Sequence, residues 1–288
     1  MLLRFFKFLA IFPLSVLHAA GVAAGWLVYA LAPGHRRRMQ ENMAQAGYLH
    51  LLPKAVAEAG KNILELPFIW CASPKRVLQT ATIHNWEIAQ SALDSGRGVI
   101  FLTPHLGCFE IIAQAIASRT PLTALYRPPN KAILKPLLEQ ARARNQLMLA
   151  PASISGVRTL LKVLRKGGAV GLLPDQVPGM GEGIWTDFFG KQAYTMTLPA
   201  KLAQMSGAQL VLSFAERLPL GKGYAIHFVT FDCALSGSLE QQTHAINAAM
   251  EELIARCPAQ YFWSYNRYKG TPPGQNKQNI KGSEDMVA

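Results

Sequence analysis

The stretch GRGVIFLTPHLGCFEII, residues 96–112, contains a strand, a loop and the start of a helix in direct succession. Four apolar residues at 99–102 lie between a glycine and a Thr-Pro pair, which is typical of a short buried strand. The glycine at 107 and the apolar residues from 109 onward then indicate a turn into a helix. The polar residues of this stretch are therefore predicted to lie at the end of a strand.

Similar short apolar runs recur downstream and alternate with stretches of helical periodicity. This alternation predicts an α/β fold with a mainly parallel central sheet flanked by helices. A last helix is predicted from Ser238, where Gln241 completes a capping box. The predicted strands are residues 99–102, 122–126, 169–173 and 210–214.

His105 and Glu110 are the residues of the first stretch that can carry chemistry. They are five positions apart, so on one continuous helix they would point about 140° apart and would not touch. If Gly107 permits a turn, Glu110 in the first helical turn can reach back to one imidazole nitrogen and leave the other free. The spacing therefore predicts a histidine base oriented by Glu110.

Polar residues also follow the other predicted strands. Arg127 follows the second run, Asp175 and Gln176 the third, and Arg217 the fourth. Ligands of open α/β sheets bind beyond the carboxyl ends of the strands. The sequence thus predicts that these residues converge with His105 on one edge of the sheet.

The N-terminal segment is the most apolar part of the chain. Residues 8–33 run without a formal charge and precede Arg36, Arg37 and Arg38, as in an uncleaved membrane anchor with a basic stop. A cleaved signal peptide is the alternative. Pro13 leaves open a kink, or a segment in the membrane interface instead of across it. The predicted parts are an anchor at 1–34, a folded domain at 35–270 and a disordered tail at 271–288.

The composition limits the classes of molecule that the protein is expected to bind. Lys and Arg exceed Asp and Glu by 29 − 17 = 12, and the mean hydropathy is +0.13, which favours an anionic membrane surface over nucleic acid. Four widely spaced cysteines indicate neither a zinc site nor a disulfide framework. A helix after Ser155 is predicted to carry a basic stripe, interpreted as a solvated face with lipid contact as the alternative. That stripe is Arg158, Lys162 and Arg165.

An ordered set of motifs carries a resemblance to a known family. The chain resembles the bacterial lipid A late acyltransferases (lauroyl and myristoyl transferases), within the glycerolipid acyltransferase superfamily and its His-x4-Asp/Glu motif. The motifs are HLGCFE at 105–110, YRPPN at 126–130, RAR at 142–144, LLPDQ at 172–176, FFG at 188–190 and QYFWSYNRYK at 260–269. Tyr265 and Asn266 depart from the His and Arg of several relatives.

The resemblance implies transfer of a fatty acyl chain from an acyl carrier protein thioester to a hydroxyl of a lipid A precursor. His105 would be the general base and Glu110 its partner, with Arg142 and Asp175 binding substrate. Arg127, predicted at a strand end, is assigned to the same substrate site. No cofactor, metal or nucleic acid is implied. Residues 35–270 would form the acyltransferase domain on the cytoplasmic side of the inner membrane, in contact with acyl carrier protein, the lipid A precursor and the anionic membrane surface.

Three alternatives stay open at this point. The acceptor could be another glycolipid or a lysophospholipid. Cys108, inside the motif, could form an acyl-enzyme as in a thioesterase, although it is more often an apolar filler and the chain has no GxSxG elbow. The chain could also be a non-enzymatic basic protein that binds lipid.

Overall fold

The computed structural model describes residues 2–126, 146–233, 235–270 and 272. This part of the chain folds as the predicted α/β domain. The strands are β1 (Ala81–His84), β2 (Val99–Leu102), β3 (Leu122–Tyr126), β4 (Leu147–Pro151), β5 (Ala169–Leu172), β6 (Gly183–Phe188), β7 (Lys191–Met196), β8 (Gln209–Arg217) and β9 (Tyr224–Thr230). The α-helices are Leu2–Leu9, Leu14–Leu31, Pro33–Gln45, Leu52–Leu64, Leu66–Cys71, Pro74–Leu78, Trp86–Asp94, Phe109–Ala117, Ile154–Arg165, Leu198–Ser206 and Leu239–Arg256.

The central sheet has seven strands in the order β1-β9-β8-β2-β5-β3-β4, and β6 and β7 form a separate antiparallel pair. Neighbours in the large sheet are parallel except β8 and β9. The mainly parallel sheet is thus confirmed. β2 and β3 have the predicted bounds, β5 ends one residue early, and β8 extends to Arg217.

Helices cover both faces of the sheet, which explains why β2 is apolar at every position. Val99 and Phe101 pack into one core layer with helix Phe109–Ala117, while Ile100 and Leu102 pack into the other with helix Leu239–Arg256. The predicted capping box at Ser238 is confirmed. The helix with the basic stripe begins at Ile154, where Ser153 instead of Ser155 accepts from a backbone amide of the first turn.

The order of the strands decides which strand ends lie side by side. β5 lies between β2 and β3, although it follows both in the chain. The carboxyl ends of β2 and β5 are therefore adjacent at one edge of the sheet. The residues that leave this edge are 103–105 after β2 and 173–176 after β5.

The apolar N-terminal segment consists of two helices, Leu2–Leu9 and Leu14–Leu31, and Pro13 directly precedes the second. Helix Leu14–Leu31 is, among the described residues, the helix that is long and apolar enough to cross a membrane. It packs along helix Leu52–Leu64, and the two backbones meet at Gly21, Gly25 and Gly60. A methyl group on Gly60 would collide with the carbonyl oxygen of Gly21. The predicted anchor is therefore also a packed element of the domain.

Candidate active site

The loop after β2 is held by backbone hydrogen bonds from two sides. The amide of Cys108 donates to the carbonyl of Ala215 in β8 (2.9 Å), and the amide of Gly107 donates to the carbonyl of Gln260 (3.0 Å). Phe262 donates its amide to the carbonyl of His105 (3.1 Å). Gly107 has a φ of +57°, and a Cβ there would collide with the Ala215 oxygen, so the loop requires glycine at this position.

Asp175 binds His105 through both of its carboxylate oxygens. His105 Nδ1 lies 2.8 Å from Oδ1, and the backbone amide of His105 donates to Oδ2 at 2.9 Å. The Asp175 side chain is 2% exposed. Burial alone would raise the pKa of Asp175, but the charge of His105 and these hydrogen bonds outweigh burial and bring that pKa below its usual value. Asp175 is therefore an anion that fixes the orientation of the imidazole.

The predicted pairing of His105 with Glu110 was wrong in its choice of carboxylate. In the described part of the chain, Asp175 and Gln176 take the two ring nitrogens of His105, while Glu110 Oε2 accepts from Trp70 Nε1 (3.1 Å). The physical reason is the strand order, because β5 delivers Asp175 directly beside the end of β2. The catalytic role predicted for Glu110 stays a prediction.

Gln176 lies at the edge of the sheet where the sequence predicted it, and its contact with His105 is a role that the sequence did not assign. Its Nε2 lies 3.1 Å from His105 Nε2. Since Nδ1 faces a carboxylate, the ring proton is assigned to Nδ1, and Nε2 accepts from the Gln176 amide. The available signal was its position directly after Asp175 at a strand end. The arrangement leaves Nε2 with the lone pair that a general base needs.

A cavity of about 300 Å³ lies at this edge of the sheet. His105, Glu110 and Gln176 line it together with Trp70. Among the described residues, the rest of the lining is largely apolar and comes from helix Phe109–Ala117, strands β3, β4 and β7, and the loops that follow β4 and β5. Its apolar members are Phe109, Ala113, Ala124, Leu125, Leu147, Leu149, Ala152, Leu173, Val177 and Met196.

The C-terminal motif at 260–269 supports the segment that carries Asp175. Tyr265 accepts the backbone amide of Val177 on its hydroxyl (2.9 Å). Arg267 is buried, donates to the Tyr194 carbonyl (2.8 Å) and adds to the lowering of the Asp175 pKa. Burial, with the neighbouring Asp175 carboxylate, raises the pKa of Tyr261 well above its usual value. Residues of this motif therefore contact the segment that carries Asp175 and help to keep the Asp175 carboxylate charged.

Two other predicted site residues, Arg127 and Arg142, lie outside the described residues.

Cys108 is 1% exposed, and burial raises the pKa of its thiol well above the usual value. A buried neutral thiol is a poor nucleophile, so the arrangement does not favour an acyl-cysteine.

Arg217 ends β8, the parallel neighbour of β2, but it is not among the residues that line the cavity with His105. Arg217 is buried and donates from Nε to Glu65 Oε2 (2.7 Å) and from Nη1 to Glu58 Oε2 (2.7 Å). Tyr224 and His18 complete the set around Glu65, at 3.0 and 3.1 Å from Oε2. The reason is that the carboxylates of Glu58 and Glu65 bind the guanidinium. We call His18, Glu58, Glu65, Arg217 and Tyr224 the ion cluster.

The fold and this arrangement define a class, the α/β proteins that carry a histidine–carboxylate pair at the carboxyl edge of the sheet. Within that class, residues 1–270 match the sequence model of bacterial lipid A biosynthesis acyltransferases, so the chain belongs to this family and is an acyltransferase. The resemblance and the enzyme class drawn from the sequence are both confirmed.

Three curated relatives illustrate the match. The lipid A biosynthesis lauroyltransferase of Escherichia coli K12 is 26% identical over 272 residues, or 91% of this chain and 88% of the relative. The palmitoleoyltransferase of that organism is 26% identical over 251 residues, 86% of this chain and 78% of the relative. The lipid A biosynthesis acyltransferase of Haemophilus influenzae is 25% identical over 247 residues, 80% and 76% of the two chains.

Proposed function

We propose that this chain moves a fatty acyl group from the thioester of acyl carrier protein to a hydroxyl group of a lipid A precursor, with His105 as the general base. The observation that carries the proposal is the His105–Asp175 pair beside a largely apolar cavity in a member of this family. Asp175 takes the orienting role that the sequence had assigned to Glu110.

The chemistry is a direct transfer. His105 Nε2 takes the proton of the acceptor hydroxyl while that oxygen attacks the thioester carbonyl carbon. The carbon–sulfur bond then breaks, and the imidazolium returns the proton to the leaving thiolate. Asp175 stabilises the imidazolium that forms between these two steps. The acceptor hydroxyl takes the place of the Gln176 amide at Nε2, so binding of the acceptor releases that amide.

The thioester oxygen needs hydrogen-bond donors as its negative charge develops. Backbone amides near Gly107 are the donors suggested by the sequence, but those of Gly107 and Cys108 already donate to Gln260 and Ala215.

The cavity accommodates the acyl chain. A second, mainly apolar cavity of about 330 Å³ shares Leu125, Ala152 and Met196 with the first. Arg158 and Lys201 lie among the residues that line the second cavity. An acyl chain that runs from His105 into the second cavity would place apolar carbon against apolar side chains.

Charge and hydropathy support the proposed partners and location. The excess of 12 positive charges suits acidic acyl carrier protein and an anionic membrane surface. The apolar N-terminal helices attach the chain to the bacterial inner membrane, with the domain on the cytoplasmic side.

The test is acyl transfer in membranes that contain the chain, with acyl carrier protein thioester and the tetraacylated, Kdo-bearing lipid A precursor as substrates. His105→Ala is expected to lose activity by about 10³-fold, since a general base contributes roughly 10²–10⁴-fold. His84→Ala is the matched control, because His84 lies exposed at the end of β1 and stacks on His227. Full activity of His105→Ala in folded protein would refute the base assignment.

Two further arms separate the substrates. Replacement of the acyl carrier protein thioester by the coenzyme A thioester tests the donor, and a large loss of rate is expected. Replacement of the lipid A precursor by a lysophospholipid or a mannosylated phosphoinositide tests the acceptor by product mass. Equal transfer to those lipids would contradict the proposed acceptor.

A further inference from the structure

We propose that the N-terminal helices attach the protein to one leaflet of the membrane, with helix Leu14–Leu31 in the plane of an anionic phospholipid surface instead of across the bilayer. This rests on the proposed membrane location and adds the mode of attachment. It follows from what the two sides of the helix contact.

The inner side of helix Leu14–Leu31 packs against the rest of the domain. Five of its eighteen residues are buried: Leu14, Leu17, His18, Gly21 and Gly25. His18 Nε2 lies 3.1 Å from the carboxylate of Glu65, which is itself fully buried. Gly21 and Gly25 meet the backbone of Gly60 without room for a side chain. The helix cannot leave the domain without breaking these contacts.

These contacts extend along nearly the whole helix. At its start, the Gly221 loop lies against the backbone of Ser15, and near its end Gln40 donates to the Tyr29 hydroxyl (2.9 Å). Eighteen residues of helix measure about 27 Å, which is close to the hydrocarbon thickness of a bilayer. A spanning helix would need its full length and would draw its polar neighbours into the bilayer with it.

Those neighbours are charged. Helix Leu52–Leu64 packs along the apolar helix and carries Lys54 on its exposed side and the Lys61–Glu58 pair. Arg217 of the ion cluster lies behind them. Ionisable groups inside the hydrocarbon layer are costly, so the composition of this packed unit favours the in-plane orientation over a perpendicular one.

The outer side of the helix fits a lipid surface. Its exposed large residues are apolar: Val16, Trp26, Leu27, Val28 and Leu31. Basic residues flank it in sequence on both sides, Arg4 and Lys7 before and Arg36 to Arg38 after. An apolar face with basic flanks is the pattern of a helix that lies in the interface of an anionic membrane.

The first helix, Leu2–Leu9, connects this surface to the candidate active site. Its Phe5 and Phe8 are exposed, whereas Phe6 stacks on Trp70 with 6.1 Å between ring centroids. Trp70 in turn donates to Glu110 in the cavity. The lipid surface is therefore separated from the cavity by two side chains, and a lipid acceptor reaches the site from the leaflet it occupies.

The test measures depth in vesicles of phosphatidylethanolamine and phosphatidylglycerol that carry the full chain. Spin labels are attached one at a time to Val16→Cys, Ala23→Cys and Leu27→Cys, with the exposed Cys233 replaced by serine. These exposed positions lie on one stripe of the helix and cover about 16 Å along its axis. An in-plane helix gives three similar shallow depths, within about 5–10 Å of the headgroup level.

A spanning helix Leu14–Leu31 is centred near Ala23, so the Ala23 label would lie close to the bilayer midplane, about 10 Å deeper than the Val16 label. That result would overturn the proposal. A label at Met205→Cys, exposed on a helix of the other core layer, is the matched control and is expected outside the lipid.

Vesicles of phosphatidylcholine alone should bind the protein more weakly, and equal binding would contradict the role of the basic flanks. Acyl transfer is assayed separately in these vesicles, so loss of the proposed activity and failure of the in-plane orientation are distinguishable.

Discussion

Among the described residues, two histidines face a buried carboxylate, and one of the two lies at the candidate active site. His18 and Glu65 are sealed, with side chains 5% and 0% exposed, whereas His105 is 14% exposed above an equally buried Asp175. Glu65 also binds Arg217 and Tyr224. The other nitrogen of His105 instead meets the Gln176 amide at the edge of a cavity. A histidine–carboxylate pair becomes a candidate base only where its second nitrogen is accessible.

The largest expected effect concerns the carboxylate of the accessible pair. Asp175→Asn keeps the size of the side chain but removes the charge that stabilises the imidazolium, so acyl transfer should fall by about 10²–10⁴-fold. Steady-state rates with both substrates measure the change. Asp187→Asn, at an exposed position, is the control and should keep full activity. Unchanged activity of folded Asp175→Asn would remove the distinction between the two pairs.

The sealed pair should respond in stability instead of chemistry. Glu65→Gln leaves Arg217 buried with part of its charge unpaired, and breaking a buried ion pair costs about 3–5 kcal/mol. Denaturant unfolding of detergent-solubilised protein measures the loss. Glu41→Gln is the control, because the Glu41–Arg37 pair is largely exposed and should change stability by less than about 1 kcal/mol. An equally small change for Glu65→Gln would mean that the ion cluster does not hold the fold.

The ion cluster also makes the fold sensitive to acid. Burial favours a raised pKa for Glu65, but the charge and hydrogen bonds of Arg217, with His18, bring it down from 4.5 to about 2. A lowered carboxyl pKa stabilises the folded state above the unfolded value of 4.5, and this contribution disappears as the pH falls from 4.5 towards 2. The loss is on the order of 3 kcal/mol. Unfolding free energies across this range test it, and a flat profile would contradict it.

The smallest expected effect tests the role of His105 Nε2, the ring nitrogen that contacts Gln176. Gln176→Glu places a carboxylate beside His105 Nε2, which favours the protonated ring and moves the acid limb of the kcat/KM profile to higher pH. We expect about a tenfold loss of rate at neutral pH, with partial recovery at alkaline pH. Gln79→Glu, at an exposed position, is the control. A uniform loss at all pH values would indicate a structural role only.

Local patterns in the sequence predicted helices and strands but not the contacts between residues that are distant in the chain. The Ser238 capping box and the strand at 99–102 depend on neighbouring residues, and both were confirmed. The partner of His105 lies 70 residues away and is brought there by the strand order, which no local pattern reveals. The sequence favours Glu110 because it is only five residues from His105.

The same limit applies to the other strand end and to the N-terminal segment. Arg217 follows a buried strand just as Asp175 does, yet the carboxylates of 58–65 take it into the ion cluster. The apolar run at 8–33 predicted a membrane helix by composition, but the contact of His18 with Glu65 spans 47 residues and depends on the folded domain.

The ion cluster imposes an order of events during synthesis. Its carboxylate Glu65 and its guanidinium Arg217 are 152 residues apart, so at about 5–20 residues per second the ribosome needs roughly 8–30 s to supply the second after the first. During that interval the apolar helix has emerged while the element that neutralises Glu65 has not. In the proposed membrane-bound state, a lipid surface would cover the exposed apolar side of this helix before the rest of the domain is complete.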